Sequence, residues 1–142
     1  MAENVLMPEM SWTEVELSLK DRPIALLPVG NTEAHGPHLP IATDTVIAIE
    51  MARRTAVKLK GRGLHALIAP PVTFCVSELG TAFPGTVSLP VDTAVALVRD
   101  GCASPAKQFR AVALIHINQE PANLEALKRA AETQAPHFER PQ

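Results

Sequence analysis

"IALLPVGNTEAHGPHLPIATD" occupies residues 24–44, and its two parts follow different rules. Residues 24–29 are a continuous apolar run, the pattern of a strand covered on both faces in a parallel sheet, with Pro28 marking its end. Residues 32–44 gather Glu33, His35, His38 and Asp44 into one short loop that also holds Pro37 and Pro40. A buried strand that runs directly into a loop of ligand-type side chains places a site at the carboxyl end of a parallel sheet.

The flanking sequence continues the alternation. "DTVIAIEMARRTAVKLKGRG" starts from Asp44 as a capping-type residue, sets Val46, Ile47, Met51 and Ala52 at helical spacing, and stops in basic residues and Gly61. "HALIAP" (65–70) predicts a second buried strand and "AVALIHI" (111–117) a third. Between them, the long loop 71–90 leads to a helical pattern from about Asp92. Gly101 and Pro105 interrupt that helix, and because an interior proline costs ~3 kcal/mol, a kink or break is expected there. Upstream, the segment from Ser11 predicts a short helix that carries Trp12, Val15, Leu17 and Leu19, is capped by Ser11 or Thr13, and ends before Pro23. Residues 121–133 predict a final helix with Pro121 in its first turn. The result is one α/β domain over residues 1–142, with a parallel, at most mixed, β-sheet and helices on both faces. Its carboxyl edge would collect the 32–44 loop, the "SELG" stretch with Ser77 and Glu78, and "NQEPAN" (118–123).

Composition narrows the function. A chain of 142 residues, 46% hydrophobic and 20% charged, buries about 68 to 70% of its unfolded surface and needs neither a disulfide nor a structural metal to fold. A metal here is therefore expected to be functional. The net charge is −2 with Lys and Arg dispersed, which argues against nucleic acid or an anionic membrane as partner. No apolar run reaches transmembrane length, and "MAENVLMPEM" lacks the build of a signal peptide. Cys75 and Cys102 lie far apart, in different apolar contexts and without CxxC spacing, so a reducing cytoplasm is the expectation. A nucleotide site is set aside, since no glycine-rich phosphate turn follows the first strand.

Glu33, His35 and Asp44 mix hard oxygen with borderline imidazole donors, a set suited to zinc, manganese or a related divalent ion. Pro37 and Pro40 restrict the loop before any ion arrives. The plain alternative is a rigid solvated turn. His38 is read as an alternative ligand or as a hydrogen-bond donor behind the ligands, and His65 and His137 as surface residues. Cys75 reads as a small buried hydrophobe.

"LLPVGNTEAHGPHLPIATD" and "FPGTVSL" (83–89) resemble, in order, two signature motifs of the creatininase (creatinine amidohydrolase) family. The resemblance runs over nearly the whole chain. It implies a parallel α/β fold, hexameric assembly, and hydrolysis of cyclic or linear amide C–N bonds with two adjacent divalent metals. By position, Glu33, His35 and Asp44 match family ligands, and Asp44 resembles the carboxylate that bridges the ions. The family's next ligand is a histidine after the third strand, where this chain reads "HINQEPAN". Aligned on "EPA", Asn118 replaces it and Glu120 keeps a carboxylate; aligned on Asn123, Glu120 itself takes the histidine's place. An Asn carbonyl is a weaker zinc ligand than imidazole, and His116 is a substitute by register shift or else a core histidine. In the middle motif Leu79 stands where the family often has a histidine, and Ser77 and Glu78 either face the pocket or form an exposed turn. Family members also continue beyond the equivalent of Gln142, so the chain is expected to lack the C-terminal part of the family fold.

The expected function is a metal-dependent amidohydrolase acting on a small-molecule amide, with one or two ions per chain, zinc first and manganese or iron as alternatives. Glu120, Ser77 and Glu78 are its catalytic candidates, and Glu33, His35, Asp44 and Glu120 its ligands. The alternative is a catalytically impaired relative that serves as a binding or assembly subunit. A homo-oligomer, or a partner chain supplying the missing half, is expected to cover the sheet edges.

Overall fold

The computed structural model describes residues 4–106, 108–116, 125, 128 and 129. Among the described residues the sheet has three strands, β1 (Ile24–Val29), β2 (Ala66–Ile68) and β3 (Ala111–His116), in the order β2-β1-β3, with both pairs parallel. The helices α1 (Trp12–Leu19), α2 (Thr43–Lys60) and α3 (Val91–Ala106) accompany them. The fold is the predicted parallel α/β arrangement. Of the predicted helix at 121–133, the described residues Glu125, Lys128 and Arg129 are helical; the rest of it, with Asn118 and Glu120, lies outside the described residues.

Side chains alternate across β1, so each face of the sheet builds its own core. Leu26 joins Ala66, Ile68, Ala52 and Ala56 under α2. Leu27 and Val29 join Ala94, Val95, Val98 and Cys102 under α3. Cys75 is in that second cluster too, so the two cysteines share one apolar core instead of separate contexts; neither forms a disulfide. Burial pushes the Cys102 thiol pKa up.

Four expectations change in detail. Asp44 does not cap α2: the helix starts at Thr43 after Ala42, which makes no side-chain cap, and Asp44 is buried in the first turn. The inward face of α2 is Thr45, Ala48, Ala52 and Ala56, while Val46, Ile47 and Met51 face outward. Small residues let the helix approach the sheet closely, and with apolar residues on both sides periodicity alone could not choose between them. α3 runs unbroken through Gly101 to Ala106. Pro105 falls in its last turn, so the bond that its missing N–H forgoes, to the Gly101 carbonyl, lies at the end of the helix and leaves the preceding turns intact. β3 is half-buried at all six positions, whereas β1 and β2 are buried almost throughout.

The N-terminus has a structural role. Ser11 caps α1 in a reciprocal box with Glu14, although Trp12 and Leu17 of that helix face outward. Leu6 bridges to Ile68, and the Ile68 amide donates to the Val5 carbonyl at 2.7 Å, which covers the outer edge of β2. Among the described residues, no helix is long and apolar enough to cross a membrane.

Candidate metal centre

The site is assembled where β1 ends and α2 begins. Gly30 follows the last residue of β1, and a Cβ built there would stand 2.5 Å from the Thr45 backbone nitrogen and 2.8 Å from the Asp44 carbonyl carbon. Only glycine permits this approach, which brings the first turn of α2 against the strand end. The loop between them is closed by the Glu33 amide donating to the Ile41 carbonyl at 3.0 Å, and Gly36 turns it with φ of 80°. Asp44 sits in the first turn of α2, where the positive end of the helix favours a carboxylate.

One ligand atom from each of Glu33, His35 and Asp44 lies within 4.8 Å of the others. His35 Nε2 is 2.9 Å from Asp44 Oδ1, and His35 Nδ1 is 3.1 Å from the Glu33 carbonyl. Both ring nitrogens therefore face acceptors, an arrangement that only a doubly protonated imidazole satisfies. Burial opposes the charge, but the Glu33 carbonyl and the Asp44 and Glu33 carboxylates outweigh it, and the His35 pKa is raised. Were a cation to replace the Nε2 proton, the Nδ1–H bond to the Glu33 carbonyl would still hold the ring, as a hydrogen bond behind a ligating histidine generally does. The donor set, two carboxylates and an imidazole on one preordered turn, fits a zinc-class divalent ion.

The second sequence motif braces this centre. Val87 donates to the Thr32 carbonyl at 2.9 Å, Leu89 donates to the Cys75 carbonyl at 3.0 Å, and the Ser88 hydroxyl accepts from the Ser77 amide at 2.9 Å. Ser77 is fully buried, and its hydroxyl donates to Glu33 Oε2 in a short bond. It is thus no exposed turn serine. Glu78, next to it, is exposed, and its carbonyl accepts from Thr81. His38 is exposed on the loop surface, and His65 is exposed as read from sequence. His116 ends β3 opposite Val29; burial pushes its pKa down, against the field of Asp44. Sequence reasoning passed over Asn31, a buried amide whose Nδ2 donates to Glu33 Oε2 at 3.2 Å and to the Val76 carbonyl at 3.0 Å. Its only signal in the sequence is a polar residue immediately after the strand-ending glycine.

With this geometry in place, the family model described as creatinine amidohydrolase (creatininase) matches residues 8–141. The chain belongs to the creatininase family. It is 37% identical over 112 residues to a mycofactocin precursor peptide peptidase from Mycobacterium ulcerans (strain Agy99), covering 76% of this chain and 44% of that protein. A creatinine amidohydrolase from Pseudomonas putida is 28% identical over 106 residues, covering 70% of this chain and 39% of its own. Solved creatininases, one in a manganese form and one in a zinc–zinc form, match with TM-scores of 0.74 and 0.73 at 25% identity, over 96% of this chain and 55% of theirs. This creatininase-family chain thus spans less than half the length of those curated relatives and about 55% of the solved chains.

Proposed function

We propose that this chain binds a divalent ion through Glu33, His35 and Asp44 and takes part in hydrolysis of an amide C–N bond. The observation that carries this reading is the convergence of the three ligand atoms within 4.8 Å at the carboxyl end of the sheet. Zinc is the first choice, with manganese or iron as alternatives, because the donor set suits all three. A divalent ion held there supplies Lewis acidity, polarising an amide carbonyl and making water nucleophilic near neutral pH. The protein's own part is positional. Asp44 is held by the first turn of α2 and His35 by the Glu33 carbonyl, while Ser77 presents its hydroxyl to Glu33 beside the same centre. Glu120, outside the described residues, is the remaining candidate ligand. The substrate class is an amide, either small and cyclic or linear, or within a peptide, as the names of the two relatives suggest in turn.

The test is metal content together with turnover. Elemental analysis after gel filtration should find zinc, manganese or iron in the parent and a loss in His35→Ala; equal occupancy in the two proteins refutes the ligand assignment. A screen of lactams, linear amides and short peptides then separates the enzyme from its alternative. That alternative is an impaired relative acting as a binding or assembly subunit, and the loss of the family histidine in "HINQEPAN" favours it. In that case Asn118→His should raise metal stoichiometry or turnover. Neither rising would indicate that another residue, His116 among them, already occupies the place.

A further inference from the structure

Asn31 is a polar side chain with no exposed surface, one residue past the glycine that ends the strand. Its amide nitrogen donates to two acceptors, Glu33 Oε2 on its own loop and the Val76 carbonyl 45 residues along the chain. A primary amide carries two N–H bonds, so it can serve both of these partners at once. The residue after Val76 is Ser77, whose hydroxyl reaches the same carboxylate oxygen. Two donors thus converge on Glu33 Oε2, and the bond from Asn31 to Val76 fixes the segment that presents the other. There is no slack around them. A Cβ at Gly80 would stand 2.6 Å from Ser77 Oγ and 3.3 Å from Glu33 Cβ.

We infer that Asn31 is a positioning residue for ion binding: its amide locks the rotation of the Glu33 carboxylate and ties it to the Val76–Ser77 segment. The inference rests on the metal reading above. The Val76 bond alone would be a structural staple between two loops. The bond to Glu33 goes further, because a carboxylate free to rotate must be ordered at the moment it takes an ion. Loss of the amide should therefore weaken ion binding in a protein that remains folded.

The experiment measures the zinc affinity of the full 142-residue chain by competition with a chromophoric chelator, alongside urea unfolding. Asn31→Leu keeps much of the side-chain volume and removes both donors. It should weaken zinc binding about 10- to 100-fold, the usual effect of losing a group that orients a ligand. In a Glu33→Ala background the same substitution should cause no further loss, since the carboxylate it acts through is gone. If Asn31→Leu does not unfold cooperatively, Asn31→Ser is measured in its place. Parent-like affinity in a folded variant overturns the inference, and so does an equal additional loss in the Glu33→Ala background. His35→Ala separates the two layers. Parent-like zinc binding there overturns the metal reading itself, whereas loss there with unchanged binding in Asn31→Leu overturns only the role of Asn31.

Discussion

β1 and β3 use nearly the same residues, "IALLPV" against "AVALIH", and pair along six positions. Yet β1 is buried at five of its six residues, while β3 is half-buried at every one. The difference lies in their neighbours. β1 has a strand on each side, α2 beneath it and α3 above. β3 has β1 on one side, and no second strand pairs with it among the described residues. An apolar run therefore records how much burial a strand can accept, and the sheet around it decides how much it receives.

Truncation of a leucine in each strand should separate β1 from β3 most strongly. Leu26→Ala, at a residue 1% exposed in the middle of β1, should cost about 2–5 kcal/mol in urea unfolding. Leu114→Ala, on half-buried β3, should cost no more than about 2 kcal/mol, since its side chain has left water only in part. Equal costs would mean that the β3 face is as enclosed as that of β1. Next comes the junction that gives β1 its site. Gly30→Ala pushes a Cβ into the α2 backbone and should cost about 1–3 kcal/mol while weakening zinc binding; a neutral result would show that α2 can move without disturbing Asp44. The side of β3 that no described strand pairs with should also show as self-association in light scattering at micromolar concentration. A monomer with a cooperative urea transition would show that this chain covers β3 by itself.

The smallest effect is a pH dependence. The folded pKa of His35 is raised, so in ion-free protein its contribution to stability is fully present below the ordinary imidazole value of about 6.5 and is lost as pH rises through the folded pKa. His116 is shifted down and acts in the opposite sense, losing its contribution as pH falls below that ordinary value. The difference between parent and His35→Gln therefore isolates the His35 contribution. Zinc should invert the trend: it competes with the proton on Nε2, so affinity should climb as pH rises through the raised pKa. Zinc affinity that is flat with pH would separate His35 from the ion.

The cluster of Glu33, His35 and Asp44 was legible in the sequence because all three flank one strand-to-helix turn, and local spacing controls that geometry. The parallel α/β class was legible for a related reason, since apolar runs and helical patterns alternate along the chain. The face of α2 was not, because Val46, Ile47 and Met51 rival Ala48, Ala52 and Ala56 in hydrophobicity, and only the close approach at Gly30 selects the small ones. Nor was the fate of Pro105, which depended on where α3 ended. Asn31 and Ser77 were the least legible of all. Asn31 meets Val76 across 45 residues, and Ser77 meets Glu33 across 44. Local residue patterns were enough to specify which side chains are available to the site and which segments become strands. Tertiary structure alone decided which groups hold the Glu33 carboxylate, because hydrogen-bond partners that distant along the chain are brought together only when the β2–α3 loop folds back over the end of β1.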